Sequence, residues 1–173
     1  MIVTVTNHDP GWAAAYAEEA LRIRKILGEK LVNVFHIGST AVPGLKTKPI
    51  LDIMPVVENI GKVDDFSAEF EAAGYEVMGE FGMPGRRYFR RGGDNRTHQL
   101  HAFQYDNVFD IERHLALRDY LREHAAARED YGRLKAALAE CFPGDIESYC
   151  REKDSFVKAL EKEALKWRWK TAD

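Results

Sequence analysis

One acid in this sequence stands where an unpartnered acid is costly. Asp52 lies within "PILDIMPVV", flanked by Ile50, Leu51 and Ile53, and a carboxylate among apolar strand residues must meet a cation, a hydrogen-bond donor or a ligand cavity. Upstream, Gly38-Ser39 closes the apolar run "LVNVFHI". A glycine there lets backbone N–H groups converge and an adjacent hydroxyl adds a donor, a combination that can cradle phosphate oxygens. The same residues also build ordinary turns. On these residues alone a phosphate cradle beside a functional acid and a plain turn beside a salt-bridged Asp52, paired with Lys46, Lys48 or a nearby arginine, both stand open.

Three further residues can complete a site. Glu80 ends a strand just before the Gly-rich "FGMPGRR" turn, although it also suits a plain surface position. His98 and His101 in "RTHQLHAF" are three residues apart, so they point to opposite faces of a regular strand and can ligate together only across a bulge or a strand end. An aspartate-plus-histidine set suits Mn²⁺ or Zn²⁺ better than Mg²⁺. The cations point towards an anion: Lys46 and Lys48 follow the Gly-Ser turn, and Arg86, Arg87, Arg90, Arg91 and Arg96 crowd one hairpin. Alternation puts Arg87 and Arg91 on one face with Phe89, and Arg86 and Arg90 on the other with Tyr88. One set can face a cleft and grip phosphate or carboxylate with its planar forks, or the charge simply protects an exposed hairpin.

The elements that must position these groups are legible as patterns. In "NHDPGWAAAYAEEALRIRKILGEK", Asp9 is an N-cap candidate, Pro10 suits the first helical position, and Gly28 marks the stop. "LVNVFHI" and "PILDIMPVV" read as strands, the second covered on both faces, with Pro55 marking its end or an irregularity. "DDFSAEFEAAG" reads as a short helix, and "YEVMGE", "RRYFRR" and "THQLHAFQ" as three strands between Gly-rich turns. From about Asp110 onward the pattern is helical, broken at "PGD", and Asp145 can cap the last helix. Helices and strands in this order imply an α+β chain with a mixed central sheet of about five strands, an N-terminal helix and a helical C-terminal region.

Composition bounds the function. The 173 residues suit one domain, with the sheet core over about 30–105 and the C-terminal helices over about 108–168. The 45% hydrophobic and 31% charged content is that of an ordinary globular protein, and the net charge of -3 argues against a nucleic-acid partner. The first residues, "MIVTVTNHDPGW", lack the basic and continuous apolar regions of a secretory signal, and no run approaches the roughly 20 apolar residues of a membrane span, so a cytoplasmic location is expected. Cys141 and Cys150 lack both a disulfide framework and zinc-ligand spacing.

"HIGSTAVPGLKTKPILDI" resembles the signature of the GrpB family. "NHDPGW", "GRRYFRR", "RTHQLHAF", "LALRDYLREHAAAREDYGRLKAALAE" and "SYCREKDSFV" extend the resemblance over nearly the whole chain. Gln99 departs from the family's His-His-Leu-His stretch, while His98 and His101 match it. Arg118, Asp119, Arg122, Lys135 and Lys153 also match family positions, where a helix charge can project into a cleft.

The resemblance implies a nucleotidyltransferase-like fold, a domain type also fused to dephospho-coenzyme A kinase. It implies a site in which Gly38, Ser39, Thr40, Lys48 and Arg87 hold phosphate. Asp52 is expected to bind a divalent ion, Mg²⁺ or Mn²⁺ before Zn²⁺, with His98 and His101 as further metal-ligand candidates. Asp52, Glu80 and His101 are the catalytic candidates. Active members of that superfamily carry a second acid two residues after the first and a third on a neighbouring strand. Position 54 is instead Met54, whose soft thioether cannot replace a hard oxygen ligand. The expected function is metal-dependent transfer of a nucleotidyl or related phosphoryl group. The alternative is a degenerate module that binds a nucleotide, coenzyme A-like molecule or other anionic metabolite and supports a partner enzyme.

Overall fold

Two strands rich in branched side chains, β1 (Leu31–Ile37) and β2 (Leu51–Val57), pair antiparallel, placing Ile37 opposite Asp52 and Phe35 opposite Met54. The computed structural model describes residues 1–173. It adds β3 (Glu76–Val77), β4 (Arg86–Arg91) and β5 (His98–Gln104) to give one mixed sheet in the order β1-β2-β5-β4-β3. The β2–β5 pair is the parallel one and sets Asp52 beside Gln99. The chain is thus α+β, with the five-stranded mixed sheet its pattern implied.

Two layers of helix cover the sheet. On one face, α1 (Trp12–Leu27) and α2 (Ser67–Ala72) bury Ile23, Leu27 and Phe70 against Val34, Ile53, Phe89 and Leu100. On the other, Leu115 of α3 (Val108–Glu123) packs on Ile37, Met54, Val56 and Phe103. Two more helices, α4 (Ala125–Cys141) and α5 (Ile146–Thr171), lean on α3 around Val42, Leu45, Leu121 and Tyr131. None of these helices is long and apolar enough to cross a membrane.

Several local details depart from the sequence pattern. Pro55 lies inside β2 opposite Val34, and the β2–β5 pairing skips Met54 and Pro55, because proline has no N–H to donate to the ladder. Asp9 does not cap α1: its carboxylate accepts the Gly11 N–H at 2.8 Å in a turn just ahead of the helix. The long helical stretch after Asp110 divides at His124, whose φ of -119° and ψ of 89° leave the helical region. The Arg128 guanidinium donates to the freed carbonyls of Leu121 and Arg122, stabilising the break without glycine or proline. Asp145 does cap α5, accepting the Ser148 N–H at 3.0 Å.

On the α1 face the sheet carries a buried polar network. Glu19, 3% exposed, accepts from the Tyr75 hydroxyl at 2.7 Å and from both terminal nitrogens of Arg91. Arg91 in turn lies 2.9 Å from His98 Nε2. Every group has a partner, so these residues lock α1 to the sheet edge.

Candidate functional site

Strand alternation sorts the candidate residues onto two faces. Asp52, Gln99, His101, Tyr88 and Arg90 share the face away from α1, and α3 covers only part of it, over Ile37, Met54, Val56 and Phe103. The uncovered half is the floor of a cleft of about 660 Å³. Its walls are the Gly38-Ser39 turn, Lys48, the inner face of α4 and the first turns of α5, which bring in Tyr131, Lys135, Tyr149 and Lys153.

The Gly-Ser turn is built for a close approach. Gly38 has φ 70° and ψ -170°, a conformation open essentially to glycine alone, and a Cβ placed there would meet Asp52 Oδ2 at 2.7 Å. The turn is held from behind by α3: Arg118 donates to the His36 carbonyl at 3.1 Å and Arg122 to the Ala41 carbonyl at 2.9 Å. Thr40 is buried and bonded to His36 Nε2 at 2.9 Å, so its hydroxyl supports the turn rather than lining the cleft. The apolar surroundings that stack His36 on Tyr16 push the imidazole pKa down to about 4.

Ser39 meets the least expected group. Lys135 Nζ donates to Ser39 Oγ at 2.7 Å and lies 4.4 Å from the Tyr131 ring centroid, although the lysine is only 2% exposed. Lys48 and Lys153 flank the Tyr149 ring at 5.2 and 5.1 Å. None of the three lysines has a carboxylate oxygen within 4.0 Å. Burial, reinforced by Lys153 and Lys48, holds the Lys135 pKa well below the ordinary lysine value, and burial with Lys153 lowers that of Lys48. Two more polar groups of the lining, Arg96 Nε and the Tyr149 hydroxyl, are buried without a hydrogen-bond partner. Asp52, Glu147 and Glu161 supply negative charge to the same lining, but Glu161 is spoken for by Arg113 at 3.4 Å. The lining's five cations, Lys48, Arg90, Arg96, Lys135 and Lys153, outnumber its three carboxylates, an excess that an anion can match.

Asp52 pairs with His101, Nε2 to Oδ1, at 3.0 Å. The imidazole's other nitrogen lies 3.5 Å from Arg86 Nη1. His114, half-buried behind it, has its pKa pushed down to about 4 by desolvation and Arg113, and its Nδ1–H donates to the Asp110 carbonyl.

Besides Thr40, three of the expected site residues lie elsewhere. His98 points to the α1 face and belongs to the Glu19–Arg91 network, where burial and Arg91 lower its pKa. A ligand set of Asp52, His98 and His101 is therefore not assembled, because residues three apart on a regular strand face opposite ways. Arg87 also faces α1's side and forms a two-pronged pair with Asp64 at 2.8 and 3.2 Å; Arg90 and Arg96 reach the cleft instead. Glu80 is exposed and serves its own turn, its carboxylate accepting the Gly85 N–H at 2.6 Å. Arg87→Ala is accordingly expected to change stability by no more than about 1 kcal/mol and to leave phosphate affinity within about twofold, as calorimetric titration would show.

The donors present do not fit a resident two-metal centre. One carboxylate and one imidazole face each other, while Met54, fully buried between Ile37 and Phe103, fills the second acid's position. No group of three histidine, cysteine or acidic residues is arranged to hold a metal ion. Magnesium prefers several hard oxygen ligands.

Lys135 and Lys153 were foreshadowed by the sequence resemblance, but Tyr131, Tyr149 and Lys135's grip on Ser39 were not. The available signal was spacing: Tyr131 and Lys135 are four apart and share one face of α4.

Comparison with known proteins places this geometry. Residues 2–163 match the GrpB protein family. The UPF0157 protein YqkA of Bacillus subtilis is 39% identical over 96% of this chain, which spans 48% of that relative's length. The crystal structure of the conserved protein GrpB from Enterococcus faecalis superposes with a TM-score of 0.93 at 51% identity, covering 96% of this chain and 99% of that one. Cid1, solved in complex with the UTP analogue UMPNPP, superposes with a TM-score of 0.53 at 16% identity, over 87% of this chain and 48% of that one, a likeness of fold. By sequence and by structure, the chain belongs to the GrpB family and has a nucleotidyltransferase-like fold.

Proposed function

We propose that the cleft binds a nucleotide or other phosphate-bearing small molecule, with its phosphates held by Ser39, Lys48, Lys135 and Lys153. The observation that carries this reading is the buried Lys135 ammonium on Ser39 Oγ, lining the cleft with no carboxylate oxygen within 4.0 Å of it. An isolated buried cation is costly, and a phosphate supplies both the charge and the acceptor oxygens that Lys135, the Arg96 Nε and the Tyr149 hydroxyl lack. Cid1, of the same fold, is solved with a nucleotide analogue, which supports the ligand class. The phosphates are gripped by protein cations rather than through a resident metal pair.

The lysines give this binding a pH signature. Anion binding needs protonated amines, and Lys135 and Lys48 have lowered pKa values. Affinity therefore falls as pH rises through those lowered values, earlier than for ordinary lysines. Without ligand the sign reverses: between the lowered folded pKa and the unfolded value of about 10.4 the unfolded chain binds more protons, so stability rises with pH. Thermal melts across pH, with and without inorganic triphosphate, read both trends; a ligand-induced shift that grows towards alkaline pH would contradict the reading.

The Asp52–His101 pair favours a second reading, nucleotidyl or phosphoryl transfer, with His101 Nε2 holding Asp52 Oδ1 while the other carboxylate oxygen takes a proton from an acceptor hydroxyl. The two readings separate on α-phosphate release from each nucleoside triphosphate with Mg²⁺ or Mn²⁺. Binding without turnover in wild type supports the module. Turnover that Asp52→Asn lowers by at least about a hundredfold supports transfer.

A further inference from the structure

Phe81 is an exposed aromatic in a conformation that L side chains rarely adopt. Its φ of 48° is the chain's positive value outside glycine, and the residue is 53% exposed at the mouth of the same cleft. Neither property helps the free protein fold, since a bulky residue is strained at positive φ and an exposed ring forgoes burial. The surrounding turn nevertheless fixes it. Arg86 donates to the Phe81 carbonyl at 3.0 Å and to the Glu80 carbonyl at 3.3 Å, while Glu80 accepts the Gly85 N–H. The Phe81 ring stacks on buried Tyr88, with centroids 5.1 Å apart and planes at 22°, and the Arg90 guanidinium lies 5.8 Å from its centre. A fixed aromatic shelf thus lines the same cleft as the lysines.

We propose that Phe81 is the stacking platform for the nucleobase of a nucleotide, with Gln99 on the floor beside it. The proposal rests on the phosphate reading above and sharpens it: the ligand carries an aromatic base as well as phosphates. A π-face with an adjacent guanidinium stacks on any base, and base–aromatic stacking is strong enough to change affinity about tenfold.

The test compares two probes, ATP and inorganic triphosphate, titrated calorimetrically into wild type, Phe81→Ala and Phe81→Trp. Phe81 is at the surface, so neither change removes core packing. Wild type is expected to bind ATP about tenfold more tightly than triphosphate; Phe81→Ala erases that difference by weakening ATP alone, and Phe81→Trp keeps it. Unchanged ATP affinity in Phe81→Ala overturns the platform, as does an equal loss for both probes. If wild type binds ATP but not triphosphate, and Phe81→Ala abolishes ATP binding, the lysine-phosphate reading fails while the platform stands. Absence of binding by either probe to wild type overturns both.

Discussion

Lys135→Met is expected to make the protein more stable and unable to bind its ligand. The substitution removes a cation that is 2% exposed, held on Ser39 and repelled by Lys48 and Lys153, and puts a flexible apolar chain of similar length in its place. Relieving a buried charge that has no carboxylate within 4.0 Å should add about 1–3 kcal/mol to the ligand-free protein at neutral pH. For a chain of this length that raises Tm by roughly 2–4 °C per kcal/mol. Truncating one partner of a buried, charge-assisted contact costs about 2–5 kcal/mol of binding, at least thirtyfold in affinity. Melting curves and triphosphate titrations on the same preparation read both effects. A structural lysine would give the reverse pattern, with a lower Tm and unchanged binding.

Gly38→Ala is expected to be the most damaging single methyl in the site. The new Cβ would lie 2.7 Å from Asp52 Oδ2 and 3.0 Å from Asp52 Cβ, at φ 70°. Backbone strain of about 1–3 kcal/mol adds to a steric term of similar size, so Tm should fall by roughly 10 °C. The clash also forces Asp52 off His101, linking stability to the site's geometry. Combining Gly38→Ala with Asp52→Ala removes the contact with the carboxylate and should recover about 1 kcal/mol relative to additivity, leaving the φ penalty in place. Strict additivity in chemical denaturation would mean that the turn and the acid do not press on each other.

The sheet was legible because its strands are short apolar or alternating runs with sharp punctuation: "RRYFRR" is β4, residue for residue, and the facing of its four arginines follows from alternation. Alternation could not say which face is the open one. Arg87 therefore looked like a phosphate ligand, although it is Arg90 that reaches the cleft while Arg87 meets Asp64. His98 illustrates the same gap, since its role depends on Glu19, 79 positions away in sequence and brought in by α1 packing. The cationic wall was harder still. Lys135 and Tyr149 sit on helices whose stripes read as scaffold, and only the break at His124 and the lean of α4 and α5 on α3 turn them towards Ser39. Met54 and Gly38, by contrast, kept the meaning their local chemistry suggested: one sits in apolar packing where an acid would be needed, the other lies against Asp52.

The central claim is that protein cations, led by Lys135, hold phosphates in this cleft. Its most direct test is calorimetric titration of inorganic triphosphate into wild type and Lys135→Met at neutral pH in the presence of EDTA. Saturable one-to-one binding by wild type, lost in Lys135→Met while the variant melts higher, is the predicted result. No binding by wild type at millimolar triphosphate, or equal binding by both proteins, would contradict it.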